Sequence, residues 1–318
     1  ASDVDVFNEW NAALLAAIVD TEADAELSVA NSIWIRDGLP VDRGFVRRNE
    51  EHYRAVVRVR DFVDPATVAE INAWVSEETR GRIDRIIQTI DPLDVMFLIN
   101  ALYFLGEWTE PFDEEGTVPG SFLRIDGSTV EIPFMTRKDT IDYHAGEGWE
   151  AVRLPYGDDE RFAMSVVVPD HGSSLGDLYQ TLDKVGWANV FTDFEPTFLE
   201  LHLPRFTLEW ERSLNQALQS LGVTAAFDPA RADFSGISPG ADDLHISEVL
   251  QKTFVQVNEK GTEAAAVTSV GMSVTSLPSY PSVRVDRPFL VAIHDASTGA
   301  VLFLGQITEP EDPEWEGR

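Results

Sequence analysis

The chain lacks two features that would restrict its fold or its location. It contains no cysteine, which excludes disulfides and thiolate metal sites. Its longest apolar run, residues 95–105, is interrupted by Asn100 and falls well short of the roughly 20 residues that span a bilayer. With 318 residues and 44% hydrophobic content, the chain can bury a sizeable core. No linker rich in proline, glycine and serine divides it, so we predict a single domain, residues 1–318.

Lysine is almost absent. Arginine supplies most of the 24 basic residues, which face 55 acidic ones, for a formal net charge of -31. The acids are spread along the whole chain, and self-repulsion of this size destabilises a compact state unless salt screens it. We therefore predict an acidic, halophilic protein. The same charge argues against heparin, nucleic acid or an anionic membrane as a partner.

The sequence offers little that an enzyme would need, namely a nucleophile, a base and an orienting group. We identify no nucleophile elbow and no His-Glu-x-x-His metal helix. The six histidines are scattered along the chain without metal-ligand spacing. The sequence therefore predicts no catalytic residue, no metal and no cofactor, and the protein is not expected to be an enzyme.

Residues 258–290 form the stretch around which the chain is organised. A strand-like segment, residues 253–257, precedes it, and residues 259–277 contain no proline and little bulk. A connection this long inside a compact domain is usually functional or disordered. From residue 262 every second position is small or apolar, and from residue 268 the intervening positions are mostly polar, which is typical of a half-buried strand. The alternatives are an ordinary surface linker and a loop that can become a strand.

The motifs at the two ends of this stretch resemble a known family. Residues 259–266 (EKGTEAAA) are similar to the hinge of a serpin, and residues 283–293 (VRVDRPFLVAI) resemble the serpin signature that follows the reactive loop. The resemblance implies an inhibitor of serine proteases whose cleaved loop inserts into a β-sheet. It implies a reactive loop over about 259–282. The hinge residues it implies are Glu259, Gly261, Thr262, Glu263, Ala264, Ala265 and Ala266.

Further motifs extend the resemblance over nearly the whole chain. Residues 95–105, followed by a Gly-Glu-Trp segment, match a central-sheet strand of serpins, and residues 232–236 and 300–305 are also serpin-like. The implied fold is α+β, with a large, mostly antiparallel central sheet, further sheets, packed helices and an exposed reactive loop. Asn100, Trp108 and Gln251 fall at the serpin shutter and breach positions, with Gln251 where relatives usually carry a histidine. The helices that begin a serpin are expected to be absent here.

The resemblance places the bait bond near the end of the loop. Counting forward from the hinge, as in inhibitory serpins, gives Thr275-Ser276. Counting back from the signature gives Leu277-Pro278, a bond that serine proteases rarely cut because of the proline. Ser276-Leu277 therefore remains open as an alternative.

A third candidate, Met272-Ser273, is weaker because cleavage there leaves a short inserted strand. A small residue such as Thr275 before the cut favours a subtilisin-like or elastase-like protease as the partner of a monomeric inhibitor.

A secreted or cell-surface location is slightly favoured over the cytoplasm. The competing hypothesis is a non-inhibitory member of the family that acts as a binding or chaperone-like protein.

Overall fold

A computed structural model describes residues 3–19, 25–239, 244–262 and 280–312 of the chain. The α-helices are α1 (Asp3–Val19), α2 (Arg43–Tyr53), α3 (Pro65–Glu78), α4 (Leu175–Val185), α5 (Trp187–Val190) and α6 (Asn215–Ser220). The strands are β1 (Glu26–Arg36), β2 (Ala55–Arg60), β3 (Met96–Glu107), β4 (Val118–Leu123), β5 (Thr129–Gly146), β6 (Trp149–Tyr156), β7 (Phe162–Pro169), β8 (Glu195–Pro204), β9 (Phe206–Ser213), β10 (Glu248–Asn258), β11 (Gly261–Thr262), β12 (Ser282–Arg284), β13 (Phe289–Asp295) and β14 (Val301–Ile307).

Residue contacts divide the chain into two compact units. The first comprises Ala1–Thr21, Leu27–Phe104 and Glu209–Phe254, and the second comprises Glu22–Glu26, Leu105–Leu208 and Val255–Arg318. The organisation as a single domain, residues 1–318, stays a prediction.

The core of the first unit lies between α3 and one face of the neighbouring strands. Asp64 caps α3 by accepting a hydrogen bond from the Ala66 amide at 2.9 Å, and Pro65 occupies the first turn, which is the helix start that an Asp-Pro pair predicts. The buried face of α3 and the segment that follows it pack on β1, β3 and β10. The main contributors are Trp34, Ile71, Trp74, Val75, Ile83, Ile86, Ile87, Phe97, Ile99, Ala101 and Leu250.

The apolar side chains of α1 do not all face the protein. The apolar positions within residues 7–19 recur at helical spacing and predict this helix correctly, yet Phe7 and Trp10 are 60% and 71% exposed. On the opposite side, Asn8 is buried and accepts a hydrogen bond from the Tyr53 hydroxyl at 2.7 Å. The helix therefore contacts α2 through polar groups.

The second unit is built on a sheet of eight strands, counted within the described residues. Its order is β12-β8-β5-β6-β7-β13-β14, and β4 pairs with β5 outside this path. Every residue of β7 and β13 is buried, which explains their nearly continuous apolar sequences. Helices α4 and α5 cover part of one face through a cluster that includes Trp149, Leu178 and Leu290.

The other sheet has the order β2-β1-β3-β11-β10-β9, again within the described part of the chain. Its β1–β2 and β3–β10 pairs are parallel, whereas β11 is antiparallel to both of its neighbours. Helices packed on sheets that contain many antiparallel pairs confirm the α+β class predicted from the sequence.

Candidate functional site

The strand β11 is two residues long and lies between two longer strands in the second unit. Gly261 and Thr262 pair antiparallel with Glu107 and Gly106 of β3, and with Asn258 and Val257 of β10. Thr262 is 1% exposed. Two residues of the predicted hinge, Gly261 and Thr262, are therefore part of the sheet.

Gly261 occupies a position that has no room for a side chain. Its φ is +143°, a conformation that favours glycine. A Cβ atom at this position would contact the Gly106 carbonyl oxygen and would lie 2.7 Å from the Glu107 Cα and 2.8 Å from the Trp108 nitrogen. Close approach of two backbones, rather than flexibility, explains this glycine.

Thr262 is held by a buried aromatic pair. Its hydroxyl shares a hydrogen bond with the Tyr156 hydroxyl at 2.9 Å, and Tyr156 stacks on Trp108 with ring centroids 4.4 Å apart. Trp108 donates from Nε1 to the Asn258 carbonyl at 2.9 Å. Burial raises the pKa of Tyr156 and outweighs the opposing effect of the Thr262 hydrogen bond, so the phenol stays protonated over the physiological range.

Glu259 fastens the turn between β10 and β11. Its carboxylate is 4% exposed and accepts from the Arg205 Nε at 2.8 Å and from the Thr117 hydroxyl, while the Arg205 Nη2 lies at 2.6 Å. The Glu259 carbonyl accepts from the Phe112 amide at 2.8 Å, and the Lys260 carbonyl accepts from the Trp108 amide at 2.7 Å. Side chain and backbone thus fix the turn from several directions.

A chain of amides lies in the first unit. Gln251 donates from Nε2 to the Asn100 Oδ1 at 2.9 Å, and Asn100 donates from Nδ2 to the Asn31 Oδ1 at 2.8 Å. Asn31 in turn donates to the Tyr53 carbonyl at 3.2 Å. We call Asn100 and Gln251 the shutter pair; they are also direct register partners in adjacent strands.

The shutter pair lies within a longer contact between β3 and β10, which we call the seam. Residues 97–103 of β3 pair directly with residues 248–254 of β10 in a parallel ladder. Lys252, within the seam, is nearly buried and binds the Glu209 and Glu211 carboxylates at 2.9 and 3.1 Å. Burial works to lower the pKa of Lys252, but the hydrogen bonds that its ammonium donates to these two carboxylates raise it overall.

The structure places some of the sequence-predicted site residues and not others. Trp108 lies beside the hinge residues Glu259, Gly261 and Thr262, whereas Asn100 and Gln251 form the shutter pair. The predicted residues outside the described ranges are Glu263, Ala264, Ala265, Ala266, Thr275 and Ser276.

Sequence reasoning missed three residues that complete these contacts: Asn31, Tyr156 and Arg205. Each is separated from its partner by 54 to 106 residues. The available signal was weak, since all three sit in or directly after strand-like segments and carry polar groups there. Only the pairing of distant strands gives them a role.

One motif of the sequence needs a correction. Residues 236–240 (GISPG) do have the Gly-x-Ser-x-Gly spacing, although no nucleophile elbow was expected. Ser238 is fully buried and lies in a turn-rich segment rather than between a strand and a helix, so it does not have the exposed position of an elbow nucleophile.

Among the residues that the structure describes, no helix is long and apolar enough to cross a membrane.

Residues 2–310 match the family model Serpin (serine protease inhibitor). The chain belongs to the serpin family. Serpins are protease inhibitors rather than catalysts, which agrees at the family level with the absence of enzyme motifs.

Individual relatives support this assignment. Glia-derived nexin of Rattus norvegicus is 34% identical over 307 residues, which cover 92% of this chain and 76% of the nexin. The crystal structure of the thermophilic serpin tengpin in the native state has a TM-score of 0.88 and 32% identity, covering 96% of this chain and 79% of that chain. The crystal structure of human thyroxine-binding globulin complexed with thyroxine has a TM-score of 0.87 and 25% identity, covering 98% of this chain and 82% of that chain.

Proposed function

We propose that the protein is a suicide inhibitor of serine proteases. The protease serine attacks the carbonyl carbon of Thr275, and the bond to the Ser276 nitrogen breaks. The nitrogen leaves as an amine after taking a proton, and an ester joins Thr275 to the enzyme. The freed loop then inserts into the seam as an antiparallel strand and carries the protease away before water hydrolyses the ester.

The observation that carries this proposal is the register of β11. Thr262 pairs with Gly106 on one side and Val257 on the other. Six residues further along the loop is Thr268, and six residues back along β3 and β10 are Asn100 and Gln251, which are themselves register partners. A strand that continues the register of β11 therefore enters the seam in phase with both neighbours, with Thr268 opposite the shutter pair.

Insertion replaces one ladder of hydrogen bonds with two. The direct β3–β10 pairing opens, and each strand then pairs with the inserted loop. Each additional backbone hydrogen bond contributes about 1 kcal/mol net, and burial of Val270 and Met272 adds hydrophobic stabilisation. The hinge residues that enter first are small or hydroxylated, so apart from Glu263 none brings charge or bulk into the sheet. The alternating pattern of the loop supports the same conclusion.

The length of β3 bears on the choice of bait bond. In the register of β11, residue 272 reaches Met96, where β3 begins. Cleavage at Thr275-Ser276 leaves three residues between that point and the ester. Cleavage at Met272-Ser273 leaves no residue between that point and the ester, which favours Thr275-Ser276 or its neighbour Ser276-Leu277 as the bait bond. A small residue before the cut favours a subtilisin-like or elastase-like protease over a trypsin-like one.

The test is incubation with subtilisin and with an elastase in high salt, followed by a denaturing gel and mass spectrometry. We expect a complex that resists SDS and a released C-terminal fragment that begins at Ser276. Thr262→Arg places a charge at the end of β11 from which the inserting strand extends, and we expect this variant to be cleaved without trapping the protease. Cleavage of the unaltered protein without a complex, and without a rise in thermal stability, would contradict the proposal.

A binding function is the second candidate, because thyroxine-binding globulin shares the fold over nearly the whole chain. A protein that uses the fold only to bind a ligand does not depend on insertion. In that case Thr262→Arg leaves binding unchanged, and the protease experiment gives neither a complex nor an increase in thermal stability.

A further inference from the structure

Tyr156 ends the strand β6 and is one of the most deeply buried side chains of the second unit. It is 0% exposed, although it carries a polar hydroxyl. A buried hydroxyl that lacks a partner is unfavourable, so the atoms near it matter. Its hydroxyl meets the Thr262 hydroxyl at 2.9 Å, and Thr262 is itself 1% exposed.

The surroundings of Tyr156 leave its ring little freedom. Trp108 stacks on it with an interplanar angle of 15°, and Trp108 is fixed in turn by its hydrogen bond to the Asn258 carbonyl. The backbones at Trp108 and Tyr156 also form an isolated antiparallel bridge. The phenol ring is therefore held in place by contacts that do not involve Thr262. A preorganised group of this kind fixes its partner with a smaller loss of side-chain entropy than a mobile one.

Thr262 is the point from which the rest of the loop must extend. A two-residue strand has few hydrogen bonds of its own, and ends of strands open readily. A contact that holds Thr262 in the sheet keeps the start of the inserting strand in register, so later residues add to an existing end. Without it, the start of the strand must form again after the bait bond is cut, while water competes for the ester.

We infer that Tyr156 is a positioning residue, which holds Thr262 at the entrance of the seam and thereby favours trapping of the protease over release of cleaved inhibitor. This inference rests on the proposed function for its consequence, but the holding of Thr262 is a property of the uncleaved protein. It is tested by removing either hydroxyl with little change of shape. The variants are Tyr156→Phe, Thr262→Val and the double variant. Tyr143→Phe is the control for removal of a tyrosine hydroxyl, because Tyr143 also lies in the second unit and its part-buried hydroxyl bonds Glu150 rather than the hinge.

The first measurement is hydrogen exchange of the uncleaved protein over residues 259–262. We expect each single variant to lose about five-fold in protection there, the effect of one buried hydrogen bond. The double variant should lose no more than the more affected single variant, because both hydroxyls serve one interaction. A loss no larger than in Tyr143→Phe, or additive losses in the double variant, would overturn the inference.

The second measurement is the ratio of trapped complex to cleaved inhibitor, together with the rate at which the protease is first acylated. We expect Tyr156→Phe to lower the ratio severalfold and leave the acylation rate unchanged, which a general loss of folding would not do. An unchanged ratio, or a ratio that falls equally in Tyr143→Phe, contradicts the role in trapping. If the unaltered protein forms no complex, the proposed function fails, and the exchange measurement alone decides whether Tyr156 holds the hinge.

Discussion

Gln251 and Asn100 face each other across the seam and are joined by a hydrogen bond of 2.9 Å between their amide groups. Neither side chain titrates, so this contact keeps its strength throughout the physiological pH range. The charge state of a histidine at the position of Gln251 would change with pH. In this protein the seam is therefore closed by a contact that acidification does not open.

Removal of Asn100 should destabilise the first unit. Asn100→Ala removes the hydrogen bonds that Asn100 makes with Gln251 and Asn31, and the loss of these two part-buried hydrogen bonds together costs about 1–3 kcal/mol. We expect the free energy of unfolding, measured with urea at fixed salt, to fall by that amount. The control is Asn49→Ala, which removes one hydrogen bond within α2. Equal losses in the two variants would show that the shutter pair has no special role.

Charge reversal at Glu259 should disturb the hinge more than any exposed charge reversal. Glu259→Lys places a cation against Arg205 in a site where the side chain is 4% exposed. Loss of one partner from a buried ion pair costs about 3–5 kcal/mol. We expect a loss of that size in the free energy of unfolding, together with faster hydrogen exchange over residues 259–262.

The control for this variant is Glu114→Lys, which makes the same change of charge at a side chain that is 58% exposed and pairs with Lys260. Exposed pairs contribute roughly 0–1 kcal/mol, so this variant should be nearly as stable as the unaltered protein. Arg205→Glu combined with Glu259→Lys restores opposite charges and should recover part of the loss. If Glu259→Lys and Glu114→Lys lower the free energy of unfolding equally, the Glu259 ion pair does not stabilise the hinge.

Gly261 offers a separate test of the close approach between β11 and β3. Gly261→Ala brings a Cβ within 2.7 Å of the Glu107 Cα, whereas the same change at Gly127 meets no atom within 4 Å. Both glycines have positive φ, at +143° and +84°. Gly127→Ala should therefore lose only the backbone term of about 1–2 kcal/mol. Gly261→Ala should lower the free energy of unfolding, measured with urea, by more than this, and the amides of its hinge should exchange faster. Equal losses in the two variants would indicate that the backbones of β11 and β3 separate freely.

The sequence predicted those parts of the fold that local patterns define. The apolar run at residues 95–105 became β3, and the Asp64 cap and Pro65 marked the start of α3. By contrast, α2 is rich in arginine and glutamate and has no apolar stripe that would identify it from the sequence alone. For α1 the periodicity predicted a helix but not its orientation, because the buried side is chosen by polar contacts such as Asn8 with Tyr53.

The candidate site shows the same limit more clearly. Family motifs pointed to Asn100, Trp108, Gln251 and the start of the hinge, because these positions carry the resemblance. No local pattern connects Tyr156 with Thr262, which lie 106 residues apart in the chain. Their contact follows from the way distant strands pair, and periodicity within one segment holds no information about its partner in another. Three-dimensional structure was needed to find it.

Asp295 should give the protein a distinct loss of stability in acid. The carboxylate ends β13, is fully buried and accepts from Arg161 at 2.7 Å and from the Ser297 hydroxyl and amide at 2.6 and 2.8 Å. Burial works to raise the pKa of Asp295, but these donors together outweigh it and lower the pKa to about 2 from 3.8. The folded protein therefore binds this proton less readily than the unfolded chain, and the difference contributes on the order of 2 kcal/mol above about pH 4.

That contribution is lost as the pH falls from about 4 towards about 2, where the carboxylate takes up its proton in the folded state as well. Because the chain carries many other carboxylates, the test is the difference in the free energy of unfolding between the unaltered protein and Asp295→Asn at each pH. We expect the difference to be largest near neutral pH and to shrink through this interval. Glu115→Gln, at an exposed position, is the control and should change the free energy of unfolding only slightly. A difference for Asp295→Asn that stays constant down to pH 2 would mean that the ionised carboxylate is not what stabilises the end of β13.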